Sequence, residues 1–227
     1  GRSCMTENGK LSDIALRAIA GLMTLAPAIT AFGNKNPTSY FRLVPHQEAP
    51  TNICWGDCNR SALVRVPLGW STGADMCSDA NPLEETYKTS DSFVLSDASN
   101  KQTFEMRSPD SSADIYQLMA GLCVACRVGL EMHEEDALSI VKRTYAGLNI
   151  HTKGSKDFAE LPGCCAESAD ALEKSRDIFE KDNVFPPRMT DGVIRSLRSF
   201  NDRGMLAEAE KSPDKVKVLV DRYFYCG

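Results

Sequence analysis

Histidine is scarce in this chain: three in 227 residues, placed apart at 46, 133 and 151. None has a second ligand at zinc spacing, so a histidine-built zinc centre is not expected. Positive charge is also short, with 26 Lys and Arg against 31 Asp and Glu, a net charge of −5 and a pI near 5.3. Nucleic acids and anionic membranes recruit basic surfaces, so neither is the expected partner. A clean apolar run of the ~20 residues that a membrane span needs is missing too. The longest run, 14–32, is interrupted by Arg17, Thr24 and Pro27 and reads as a core helix. The basic, apolar, small-residue order of a secretory leader is not visible at the start. The abrupt opening GRSCMTENGKLS predicts a piece of a longer protein, and the cysteine pattern predicts a cytoplasmic one.

Cysteine, by contrast, is plentiful, at nine residues. The number is odd, and a chain of this length does not need staples to make a core, so free, reduced thiols are expected. Cys123 and Cys126 form a C-x-x-C inside MAGLCVACRVGL, which reads as a buried helix where cysteine acts as a small hydrophobe. Cys164–Cys165 also permits a vicinal redox pair. Hydrophobic content of 42% and charged content of 25% are those of an ordinary globular protein, with length for one core and a small subdomain.

Along the chain, Asn8-Gly9 signals a hairpin turn, and Ser12 is a plausible N-cap with Asp13 in the first turn. Apolar residues at 14, 18, 19, 22, 25, 26 and 29 keep helical spacing, and Pro27 is expected to kink or end that helix. Residues 38–66 read as strand and turn, 67–100 as loop with a short strand at 93–95, and 101–107 as strand. A helix over 113–133, apolar almost all round, is expected at the centre of the fold. Further helices are expected at 136–145, 167–181, 190–205 and 212–225. The fold class is α+β: an antiparallel sheet packed with helices. The sheet and central helix fall in 1–150, with an insertion at 71–102, and a helical region occupies 151–227.

Arginine carries the functional signal. Arg42, Arg60 and Arg65 lie with Glu48 in strand-and-turn texture, and an arginine turned inward needs an anion. Strand alternation over 101–107 puts Lys101, Thr103, Glu105 and Arg107 on one face. That face is also compatible with a solvated edge carrying an ordinary ion pair. Arg42 and Glu48 are equally compatible with a salt bridge across a tight turn. Together the set fits a polyanion site, with Glu105 open to a divalent metal.

Three ordered pieces, SYFRLVPHQEAP at 39–50, NRSALVRVP at 59–67 and FEMRSPDSSADIY at 104–116, resemble signature blocks of the glutamine synthetase family. The resemblance extends over nearly the whole chain and implies the C-terminal part of that family's catalytic domain, of the glutamine synthetase/guanido kinase-like fold. It implies an ATP-dependent ligase that forms glutamine from glutamate and ammonia through a γ-glutamyl phosphate, with Mg2+ or Mn2+, in a large homo-oligomer. Position by position, it implies that Arg42 holds the glutamate carboxylate and Glu48 sits on a flap that takes a proton from ammonium. Arg60 would meet the transferring phosphoryl group and substrate, and Arg65 the nucleotide phosphates. Glu105 would be a metal ligand, and Arg107 would neutralise the γ-carboxyl as it is activated. Such a site gains by forcing two anions together with fixed positive charge, then excluding water.

The chain also departs from the family. Thr103 stands where an arginine is usual, so Lys101 is the substitute for that ATP contact. Phe41 replaces a common lysine and His46 a common glycine, while Ser111, Asp114 and Ile115 replace Pro, Asn and Pro. The other family metal carboxylates would precede Gly1, so ligase activity is not expected from this chain alone. Two rival functions follow: a ligase on the same fold that joins a polyamine or other amine to glutamate, and a non-catalytic binding or assembly module.

Overall fold

The computed structural model describes residues 4–7, 10–44, 49–67, 102–147, 150, 158–209 and 211–223. Two short strands, β1 (Thr6–Glu7) and β2 (Lys10–Leu11), pair antiparallel as the opening hairpin. Helix α1 (Asp13–Gly33) follows, and the Ser12 side chain caps it by accepting from the Ala15 amide at 3.1 Å. Pro27 does not end α1; the helix runs on to Gly33. Thr30 Oγ1 donates to the Pro27 carbonyl at 2.6 Å within that last stretch.

Helix α1 is the centre of the molecule. Its residues Ile19, Ala20, Ala26, Ile29, Ala31 and Phe32 have no exposed surface. Packed around it are α2 (Ile115–Glu131), α3 (Glu134–Thr144), α4 (Cys165–Lys174) and α6 (Pro187–Ser199). It is long and apolar enough to cross a membrane by length and composition, yet its apolar side chains make the core. The expectation that helix 113–133 would be central is corrected. Helix α2 buries Gly121, Val124, Ala125 and Gly129, while Ile115, Tyr116, Met119 and Leu130 are exposed. Both faces of α2 are apolar, so periodicity could not say which of the two long helices is enclosed. Cys123 is exposed and Cys126 half-buried, not core residues.

The crossing of α1 and α2 is set by glycine. A Cβ on Gly21 would overlap the Ala125 carbonyl oxygen, and one on Gly129 would overlap the Arg17 carbonyl oxygen. At the far end, Phe32 stacks on Phe185 at 4.8 Å and meets the edge of Phe179 at 5.4 Å. The remaining helices are α5 (Arg176–Glu180), α7 (Met205–Ala209) and α8 (Pro213–Tyr223). Buried Asp202 clips the start of α4, accepting from the Cys165 and Ala166 amides at 2.8 and 3.1 Å. The described cysteines are all free, and Cys164 and Cys165 are buried.

The sheet is small: β3 (Trp55–Asp57), β4 (Val64–Val66) and β5 (Glu105–Met106), in that order. The α+β class stands, with a mixed sheet instead of a uniformly antiparallel one: β4 and β5 are antiparallel, whereas β3 and β4 run parallel. The strand expected over 101–107 shortens to Glu105–Met106, and 37–41 is a 3-10 turn instead of extended chain. Proline at the first position of that turn has the φ a helical start requires. The turn drives Tyr40 inward, where its hydroxyl donates to the Asn34 carbonyl at 3.1 Å and meets Ser168 Oγ at 2.5 Å. Burial pushes the Tyr40 phenol well above its ordinary range. The possible strand at 93–95 and all but the last residue of the insertion at 71–102 lie outside the described residues.

Candidate functional site

Residues 107–110 leave β5 and cross the C-terminal end of α1. There the Asp110 amide donates to the Gly33 carbonyl at 3.0 Å and the Asp114 amide to the Phe32 carbonyl at 3.2 Å. Both α1 carbonyls belong to the last turn, which has no helical donors of its own. Asn34, fully buried, donates from Nδ2 to the Ser108 carbonyl at 2.8 Å and to Asp110 Oδ2 at 3.3 Å. Asp114 caps α2 by accepting from the Gln117 amide at 3.1 Å. Thus one segment closes α1, opens α2 and carries Arg107.

Arg42 emerges from the 3-10 turn onto this segment. Its Nη1 donates to the carbonyls of Ser108 and Pro109 at 3.0 and 3.3 Å, and its Nη2 to that of Arg107 at 3.1 Å. A guanidinium has five N–H donors, so this docking leaves part of the fork for a ligand. The Ser108 carbonyl is shared between Asn34 and Arg42, which joins the end of the core helix directly to the arginine.

Arg65 and Glu105 are direct cross-strand partners on β4 and β5. Facing pairs on adjacent strands meet, and here Arg65 Nε lies 2.9 Å from Glu105 Oε1. Arg107, two residues on, puts its Nε 3.4 Å from the same oxygen. Arg107 Nη1 also donates to the carbonyls of Arg60 and Ala62. Arg60 sits on a turn closed by Asn59, whose Oδ1 accepts from the Ser61 amide at 2.9 Å and the Ser61 hydroxyl at 2.6 Å. Asn59 Nδ2 ties the turn to the Ala146 carbonyl at 2.7 Å, which leaves the Arg60 side chain exposed. Such an Asx turn is a local consequence of an asparagine two residues before a free amide.

Burial is the main cause that lowers the Arg107 pKa below its ordinary value. The positive charge of Arg65 adds to it, Glu105 opposes it, and Arg42 and Arg60 lower it further. Arg107 thus feels the charge of three other arginines and of Glu105. Fixed guanidinium charge held on backbone carbonyls and a two-strand ladder is suited to positioning anionic groups.

Of the residues picked out from sequence, Arg42, Arg60, Arg65, Glu105 and Arg107 come together here. Glu48, His46 and Lys101 lie outside the described residues. Thr103 is exposed on the approach to β5. Glu105, the expected metal ligand, pairs through Oε1 with the Arg65 and Arg107 guanidinium groups. Among the described residues no three His, Cys, Asp or Glu side chains gather as a cation site. The described residues by themselves do not supply a donor set for a divalent ion. Sequence reasoning missed Asn34 and Ser108 as supports of Arg42. The available signal was an asparagine directly after the helix of 14–32, a position that favours a residue able to bond beyond the helix end.

A family model described as glutamine synthetase, catalytic domain, matches residues 2–76. The glutamine synthetase of Pyrococcus furiosus is 34% identical over 224 residues, 97% of this chain and 44% of that protein. The glutamine synthetase of Aquifex aeolicus is 29% identical over 197 residues, 87% of this chain and 36% of that protein. Among solved structures, a cryo-EM glutamine synthetase of Plasmodium falciparum matches with a TM-score of 0.58 at 21% identity, covering 85% of this chain and 39% of its own. Ligand-free GmaS matches with the same TM-score of 0.58 at 19% identity, covering 93% and 41%. At those identities the structural likeness shows the fold alone. The chain spans less than half the length of the curated relatives it matches.

Proposed function

The chain belongs to the glutamine synthetase family, as the C-terminal part of its catalytic domain, and from that premise we propose its role: one wall of an ATP-dependent ligase site. The reaction proposed for the whole protein joins ammonia to glutamate through a γ-glutamyl phosphate. The observation that supports it most is the gathering of Arg42, Arg60 and Arg65 near Arg107, with Glu105 paired to Arg65 and Arg107, on one strand pair and its flanking turns.

Each residue has a task in that chemistry. Attack by a carboxylate on a terminal phosphate brings two anions together, and the arginine wall offsets the repulsion by fixed position and charge. Arg42, braced by three carbonyls, is assigned the glutamate carboxylate, and Arg65 the nucleotide phosphates. Arg60, exposed on its Asx turn, is assigned the phosphoryl group in flight. Arg107, held by the 60–62 carbonyls, is assigned the γ-carboxyl as it becomes an acyl phosphate. Glu48 is assigned to the flap that receives a proton from ammonium, and Lys101 to a further phosphate contact. Bound Mg2+ or Mn2+ would supply charge neutralisation on the phosphates, with ligands from beyond these 227 residues. A cytoplasmic homo-oligomer is proposed for the whole protein, and no ligase activity for this chain alone.

The departure at Phe41, beside Arg42 on the 3-10 turn, favours a second reading in which the acceptor is a larger amine. The test is ADP release by the full-length protein with glutamate plus ammonium, compared with glutamate plus a panel of amines. Turnover with ammonium supports the proposal; turnover with organic amines only replaces it with the second reading. No ADP release with any acceptor would leave a binding or assembly module.

A further inference from the structure

The C-x-x-C of α2 takes no part in the ligase reading, and its cysteines are not core residues. We propose that Met119, Cys123 and Cys126, on the outward side of α2, form a binding site for a soft monovalent cation of the Cu(I) type.

Helical geometry brings the three sulfurs to one side. Successive residues of an α-helix turn by about 100°, so positions 119, 123 and 126 fall within an arc of about 60°. The residues that α2 buries, Gly121, Val124, Ala125 and Gly129, lie on the opposite side. Met119 is 60% exposed, Cys123 is exposed and Cys126 is half-buried. Helical neighbours three and four apart stand about 5–6 Å between Cβ atoms. Two metal–sulfur bonds of about 2.3 Å span about 4.6 Å, so sulfurs that lean inward from such positions reach one ion. The two thiols already sense each other: burial pushes the Cys126 thiol up, and Cys123 adds to the rise. A thiol held protonated is a poor nucleophile, which makes metal binding a better use of the pair than disulfide exchange. As the ion binds, two S–H bonds break, two S–Cu bonds form and both protons pass to solvent. The copper stays in its +1 state throughout.

The donor types select the metal. Thiolate and thioether are soft ligands and favour Cu(I). A closed zinc site takes four ligands from Cys, His and carboxylates, and among the described residues no third such side chain joins the pair. Arg127 is an independent sign of a ligand. It follows Cys126 directly and is the helical neighbour of Cys123, four residues on. Its Nη1 donates to Asp182 at 3.1 Å. Its Nη2 and Nε are buried without a hydrogen-bond partner, and Nε has only the Glu131 carboxylate at 3.8 Å. Two thiolates around one monovalent ion carry a net negative charge, and a guanidinium with spare donors on the same helix turn stabilises it.

The test is anaerobic titration of Cu(I) into the full-length protein against bicinchoninate, a competing chelator. X-ray absorption at the copper edge then counts sulfurs in samples loaded with one equivalent. Wild type should hold one more Cu(I) than either Cys123→Ser or Cys126→Ser, since both thiolates are needed. Cys4→Ser, at an exposed cysteine outside α2, is the control and should keep the full count. Met119→Leu should keep the ion while the sulfur count at copper falls by one. Circular dichroism checks folding, and Cys126→Ala decides if the half-buried position rejects a hydroxyl. Equal Cu(I) counts in wild type and both serine variants would overturn the site. Retention of the ion by the Cys126 variant would also overturn it, since a lone exposed thiol would then suffice. So would an unchanged sulfur count in Met119→Leu. Displacement of Cu(I) by an equal concentration of Zn2+ would refute the choice of a soft monovalent ion.

Discussion

Gly21 is the most informative single position for testing the packing that supports the arginine wall. A Cβ there would overlap the Ala125 carbonyl oxygen and stand 2.7 Å from the Gly129 amide nitrogen, both backbone atoms of α2. Backbone of a neighbouring helix cannot swing aside as a side-chain tip does. Gly21→Ala therefore has to push α1 and α2 apart along their whole contact. In favour of alanine stands its helix propensity, worth about 1 kcal/mol over glycine. Against it stands overpacking, typically about 1–3 kcal/mol and more where backbone is hit. With a backbone clash at the upper end of that range, the net loss is about 2 kcal/mol, which in a domain of this size lowers Tm by about 4–8 °C. Gly192, exposed within α6, is the control: an added Cβ meets nothing within 4 Å. Gly192→Ala should therefore raise stability by about 1 kcal/mol. Circular dichroism melts and urea titrations of the two variants check both signs. If Gly21→Ala melts at or above the wild-type temperature, the close glycine crossing is wrong. The spacing of the two helices that carry the 105–114 segment would then need revision.

Two further outcomes follow from the site and the surface. Asn34→Ala removes the donors to Ser108 and Asp110 behind Arg42, at a cost of about 1–3 kcal/mol. Since Asn34 Oδ1 is itself buried without a partner, the lower half of that range is expected, and an unchanged Tm would refute the bracing role. The hydrogen bond from Arg198 holds the Asp170 and Glu173 carboxyls below their ordinary pKa, and that from Lys181 does the same for Glu131. A carboxyl depressed in the folded state contributes stability above its unfolded pKa and loses it as pH falls through the folded one. Stability should thus decline below about pH 4, and the decline should be shallower in Arg198→Leu. A melting temperature that stays constant as the pH falls well below about 4 would refute these pairs.

Local chemistry made much of this legible in advance. Ser12, the 14–32 apolar spacing and the Asn8-Gly9 turn signal led to the right hairpin and the right core helix. Glu105 and Arg107 were picked by strand alternation, and they do meet, even though β5 is only two residues long. Pro27 does not end α1, because burial of most of the helix outweighs the one hydrogen bond that proline removes. Helix α2 was overread, since composition cannot distinguish an enclosed apolar face from an exposed one.

By itself the sequence determined the α+β class, the family and the identities of the arginines, because each is written in residue types at short spacing. Only the tertiary structure decided what those arginines touch. Asn34 and Ser108 lie 74 residues apart along the chain, as Arg107 and Arg60 lie 47 apart. Contacts at that separation depend on where α1 ends and how β4 meets β5, which no local pattern encodes. The same long-range geometry places Glu105 Oε1 between the Arg65 and Arg107 guanidinium groups.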